Sequence, residues 1–196
     1  MTITRKLSPI IGYHGCDREI AEKVLAGEEH LNASKNSYDW LGSGIYFWVD
    51  SFARAMDWAE STTRSLNEPY VVGAFLDPGH CLDLTDYGVV PQIKLAYDEF
   101  VKNCRVAGVS LPSNKVPKEG SSLVRNLDCA VINFLHGFRA SIGEPEFETV
   151  YGVFEEGPAI FENSALREKT HIQIAVRTNQ MIKGYFRPQE LCQYNR

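Results

Sequence analysis

The sequence lacks most of the features that assign a protein at a glance. Its five cysteines (Cys16, Cys81, Cys104, Cys129 and Cys192) are scattered singly along 196 residues. Their number is odd and no pair stands at metal-ligand spacing. A zinc site and a disulfide framework are therefore not expected, and free thiols in a reducing compartment are. No run approaches the roughly 18 apolar residues of a membrane span. Met1 to Ser8 carries charge but no apolar stretch of secretory-leader length, so a cytoplasmic protein without a membrane partner is expected. Positive charge is not in excess either: 20 Lys and Arg face 25 Asp and Glu, a net charge of −5. The surface as a whole does not attract nucleic acid. There is no internal repeat and no low-complexity tract.

What is present is an ordinary globular composition, 44% hydrophobic and 23% charged, in a length that suits one domain covering residues 1–196. Ser8–Tyr13 reads as a strand and Arg18–Ala26 as an amphipathic helix, with Asp17 as N-cap and Gly27 as C-cap. A short strand is expected around Leu31–Ala33, a strand over Gly44–Val49, and a helix from Ser51 to Leu66. Tyr70–Leu76 and Cys81–Leu84 follow as strands, and Val90–Arg105 and Leu127–Phe138 as helices. Between those helices Val109–Ser122 is loop-like. The last third alternates strand-type runs, Thr149–Phe154, His171–Arg177 and Ile182–Phe186, with turns. Elements in this order, without a βαβ rhythm, indicate an α+β fold rather than a doubly wound parallel sheet.

Two short runs carry the chemistry. Gly12-Tyr13-His14-Gly15-Cys16 ends the apolar Pro9-Ile10-Ile11, and Gly42-Ser43-Gly44-Ile45-Tyr46-Phe47 feeds a second strand. A histidine and a tyrosine delivered from two strands, each beside glycine backbone that a ligand can approach closely, suit the clasping of a flat polar ring.

The His14-Gly15 pair, the Gly42-x-Gly44-Ile45-Tyr46-Phe47 run, and Ala55 and Trp58 in the following helix together resemble the ADP-ribosyltransferases of the diphtheria-toxin and poly(ADP-ribose) polymerase type. The resemblance covers about Ile10 to Ala59 well and the C-terminal strands loosely. It implies an ADP-ribosyltransferase fold, a split, twisted pair of antiparallel or mixed sheets with flanking helices, and NAD as co-substrate in the cleft between strand ends. In that scheme His14 bonds the adenosine-side ribose, Gly15 offers its backbone to the nicotinamide carboxamide, and Tyr46 stacks on the nicotinamide ring. Trp58 or a neighbour closes the other side, and Ser34 touches the adenosine half.

The third catalytic position departs from the family pattern. Where a glutamate opens a late strand, this chain has His171-Ile172-Gln173-Ile174, which puts Gln173 at or beside that position. An amide can bond a ribose hydroxyl, but it has no charge and cannot act as a general base. Glu155, Glu156 and Glu168 are the carboxylates that could substitute, and His171 shares the strand face of Gln173. The resemblance implies mono-ADP-ribosyl transfer with release of nicotinamide, in the manner of small bacterial or phage-defence toxins. A protein or nucleic-acid acceptor and an antitoxin or chaperone partner are implied with it. The rivals are an NAD glycohydrolase, an RNA 2′-phosphotransferase (for which Arg18 and Arg177 are poor matches), and a degenerate NAD-binding or interaction module.

Overall fold

The computed structural model describes residues 8–61, 65–115 and 124–189. Among the described residues there are seven strands: β1 (Ile10–Asp17), β2 (Ile45–Val49), β3 (Pro69–Leu76), β4 (Cys81–Asp83), β5 (Thr149–Phe154), β6 (His171–Val176) and β7 (Ile182–Phe186). Four α-helices flank them: α1 (Arg18–Leu25), α2 (Phe52–Ala59), α3 (Val90–Ala107) and α4 (Asn126–Ser141). The strands form one mixed sheet in the order β4-β5-β6-β2-β1-β3-β7, with β4 parallel to β5 and every other pair antiparallel.

Where two sheets were expected, hydrogen bonding runs through all seven strands. The junction in the middle is nevertheless narrow. β1 pairs with β3 along eight residues but with β2 only at Gly12–Val49 and Tyr13–Trp48.

Side-chain alternation along the strands builds a core on each face. Cys16, Ile45, Phe47, Val72, Ala74, Leu76, Ile174 and Val176 line one face and pack with Ala21 and Val24 of α1. The other face carries two clusters. Val150, Phe154 and Ala175 pack with Ala96 of α3 and Ile132 and Leu135 of α4, while Trp48 and Val71 pack with Ala55 of α2.

Several boundaries moved. β1 continues past Tyr13 to Asp17 because His14, Gly15, Cys16 and Asp17 find partners on β3. Leu31 is buried, yet 31–33 is not a strand; a single bridge joins Ser34 to Gly44. α2 ends at Ala59 rather than Leu66, and residues 62–64 of the expected helix lie outside the described residues. So do residues 116–122 of the expected loop, together with Cys192. The four described cysteines are free thiols, and among the described residues no helix is long and apolar enough to cross a membrane.

Candidate active site

The narrow junction between β1 and β2 coincides with the two sequence motifs. Just beyond the ladders, Arg18 N–H donates to the Glu68 carbonyl (2.8 Å) and Asp50 N–H to the Ile11 carbonyl (3.0 Å). In an antiparallel register these two bonds turn the even-numbered residues of β1 toward β3 and the odd-numbered ones toward β2. Tyr13 thus faces Trp48, and the next facing pair in register is Gly15 with Tyr46. That pair is not formed, because the ladder ends at Tyr13. The Tyr46 carbonyl is taken instead by the ring of His14, whose Nδ1 lies 2.7 Å away. The alternation of the ladder thus directs the N–H and C=O of Gly15, itself buried, toward β2 where the two strands part.

This contact fixes the state of His14. A carbonyl only accepts, so Nδ1 carries the proton and Nε2 presents a lone pair. Burial lowers the pKa of His14, with the bond to Tyr46 opposing it, and keeps the ring neutral.

The Tyr46 hydroxyl is also committed. It donates to the Gly42 carbonyl (2.7 Å) and accepts from Leu41 N–H (2.9 Å). Burial, with Asp39 adding to it, pushes its pKa well above the ordinary phenol value. Gly42 makes this turn possible: its φ is 76°, and a Cβ there would lie 2.7 Å from the Asn133 side chain. The two side chains leave the sheet on opposite faces. His14 lies on the Phe47 face, 5.7 Å from that ring, while Tyr46 packs on the opposite face with the Leu41, Leu82 and Ala175 cluster. They meet through the Tyr46 carbonyl.

Trp58 lies against Gly15. A Cβ built on Gly15 would stand 2.6 Å from the Ala55 carbonyl, 3.0 Å from the Trp58 ring and 3.1 Å from Ala59. Only glycine lets α2 come this close to the strand. Trp58 also tilts against Trp48, with ring centroids 5.6 Å apart. Ser34 bridges Gly44, and its hydroxyl bonds Asp39 (2.6 Å) and Asn36 (2.8 Å). Its role here is to pin the loop that leads into the glycine run.

Gln173 sits beside Trp48 on β6, two residues from Ala175, which pairs with Tyr46. It thus shares the face of Tyr46, Trp48 and α2. It is 8% exposed, and its Nε2 is 3.0 Å from His171 Nε2. Of the proposed substitute carboxylates, Glu155 and Glu168 are exposed. Glu156 is ion-paired with Arg54 of α2 at 3.0 Å, and Arg54 also holds Asp57. The structure therefore brings His14, Gly15, Tyr46 and Trp58 to one seam and sets Gln173 one strand away, on β6 beside β2. Trp48 and Arg54 join this group without any signal in the linear sequence. A cleft of about 410 Å³, lined by Val49, Ser51, Val153, Thr170, His171 and Ile172, opens at the strand ends beside the His171–Gln173 pair. Among the described residues no group of three His, Cys, Asp or Glu side chains could hold a metal ion.

No protein-family model matches the chain, and no solved structure matches it. The uncharacterized protein MJ0359 of Methanocaldococcus jannaschii is 44% identical to it over 46 residues. Those residues are 24% of this chain and 21% of that protein, so the match spans about a fifth of the curated relative.

Proposed function

We propose that the chain is an NAD-dependent mono-ADP-ribosyltransferase, in keeping with the family its two motifs resemble. The observation that carries the reading is the unmade Gly15–Tyr46 pair. One residue there turns a donor and an acceptor into a gap, the complement of a carboxamide, which offers one of each. The neutral His14 beside it presents Nε2 as an acceptor for a ribose hydroxyl.

In the reaction, the bond between ribose C1′ and the nicotinamide nitrogen breaks and its electron pair leaves with nicotinamide. A lone pair of the acceptor forms the new bond to C1′, and the acceptor's proton passes to water. The ribosyl centre is oxocarbenium-like in the transition state. Gly15 grips the leaving group through its carboxamide, the Tyr46 ring and Trp58 flank it, and Gln173 accepts from a ribose hydroxyl. A glutamine cannot take a proton from the acceptor, so the reading favours an acceptor that is already nucleophilic, on a nucleic acid or a protein. Toxin action held in check by an antitoxin or chaperone belongs to the same reading.

A second reading, NAD binding without transfer, is favoured by one observation: the half-buried carboxylate in this region, Glu156, is neutralised by Arg54. Adenine-labelled NAD incubated with the protein and a mixed cell extract separates the two. Label retained on macromolecules, and removed by either protease or nuclease, supports transfer and names the acceptor class. Free nicotinamide without retained label marks a glycohydrolase. Saturable binding with neither product supports the non-catalytic module, and no binding at all refutes both readings. His14→Ala and Tyr46→Ala should each abolish the signal.

A further inference from the structure

The partners of Gln173 decide which end of its amide meets a ligand. His171 is 7% exposed, and its ring stacks on Phe154 with centroids 5.2 Å apart at an interplanar angle of 9°. Its Nδ1 lies 2.6 Å from the Lys169 carbonyl. Arg54 Nε is also near Nδ1, at 3.4 Å, but the shorter contact is to an oxygen that only accepts, so Nδ1 carries the proton. Nε2 is then a bare lone pair, and the group facing it at 3.0 Å must donate. Of the two ends of an amide only the NH2 can do so. The Gln173 Oε1 is consequently turned away from His171.

We propose that His171 is a positioning residue for Gln173: its Nε2 accepts from the Gln173 amide while its Nδ1 is held by the Lys169 carbonyl, so that Gln173 presents a fixed oxygen acceptor to a hydroxyl-bearing ligand. The pair is matched. A glutamate at 173 could only accept, and would force a proton onto Nε2. Protonation of His171 in the native chain reverses the arrangement in the same way: Nε2 becomes a donor, the amide turns over, and the site presents NH2 where it had presented oxygen.

The groups facing His171 set when this happens. Burial holds its pKa below the ordinary imidazole value. The Lys169 carbonyl and Glu156 oppose the shift, and Arg54 adds to it. Asp57 is occupied by Arg54 and by the Lys169 ammonium.

The proposal rests on the reading of Gln173 as a hydroxyl acceptor in NAD chemistry, but its geometric half is testable without NAD. In the 15N-labelled full chain at pH 7, long-range 1H–15N correlation should show His171 as the Nδ1–H tautomer. The Nε2 resonance should move in Gln173→Ala, and Gln173→Glu should make the ring doubly protonated. An Nε2–H tautomer in the native chain, or an Nε2 resonance indifferent to Gln173→Ala, overturns the proposal whether or not NAD is a substrate. The functional half is read from nicotinamide release. His171→Phe keeps the ring stack but loses the acceptor, so kcat should fall about tenfold, the weight of one hydrogen bond. KM should stay near its native value. The acid limb of the native pH profile should also disappear in this variant. Native kcat and an unchanged acid limb in His171→Phe overturn the positioning role. If the native protein releases no nicotinamide, the proposed function fails while the tautomer still decides the orientation of Gln173.

Discussion

His136 and His171 are both buried, and they accommodate burial differently. His171 has a partner on each ring nitrogen, whereas neither nitrogen of His136, 2% exposed on α4, has one. Desolvation, helped by Arg177 and Arg139, lowers the His136 pKa from 6.5 to about 3. The unfolded chain therefore binds a proton between these values that the native chain does not. The contribution of His136 to stability is therefore complete above pH 6.5 and is lost as pH falls toward 3, by about 1.4 kcal/mol per pH unit. His136→Leu removes no hydrogen bond and should flatten this slope. Urea midpoints of the native chain and the variant, compared at pH 7 and pH 4.5, should diverge only at the lower pH.

At Gly15 the constraint is steric. Gly15→Ala sets a methyl group 2.6 Å from the Ala55 carbonyl and should cost about 1–3 kcal/mol of unfolding free energy, as overpacking does. Tyr46→Phe strands the Leu41 N–H and the Gly42 carbonyl and should cost a similar amount, about 1–3 kcal/mol.

The residues of the seam were legible in the sequence because each motif is short and linear, a histidine-glycine and a glycine-flanked tyrosine. Trp48, Arg54 and Glu156 were not. Trp48 reaches Gln173 through a strand pairing across 125 positions of chain, and Arg54 reaches Glu156 from a helix on another part of the fold. Nothing local announces either contact.

At the scale of elements the controlling feature is the junction of β1 and β2. Strand interiors were readable from β-branched and aromatic runs, and β5 and β7 have the expected ends. The end of β1 was not readable, because its last four residues are strand only by virtue of β3, more than fifty positions away. The early end of the β1–β2 ladder is likewise a tertiary property, since the His14 ring takes a carbonyl that the ladder would otherwise use. Amide hydrogen exchange should report it directly. The amides of His14 and Cys16, bonded to β3, should exchange only with global unfolding, whereas that of Gly15 should exchange faster through local opening. Equal protection of all three would mean that the Gly15–Tyr46 pair is made in solution.

For the molecule as a whole, the fold class followed from the order of elements, but the sharing of one sheet by both cores did not. Helix α1 packs on one face and α2, α3 and α4 on the other, around strands that belong to both. Neither core can be lost alone without stripping one face of the sheet, so unfolding should be a single transition. Calorimetric and van't Hoff enthalpies that agree would bear this out, and two resolved transitions would not. The net charge of −5 places any affinity for a polyanionic acceptor in a local arrangement of cations, which sequence totals do not reveal.

If the parted strands clasp NAD at Gly15, as proposed, the Gly15 amide is the most direct witness. Followed by NMR during titration with NAD, it should show a saturable shift and gain protection from exchange. His14→Ala should weaken both effects severely while leaving the fold intact. A Gly15 amide that ignores millimolar NAD, or that responds identically in His14→Ala, would rule out this NAD site.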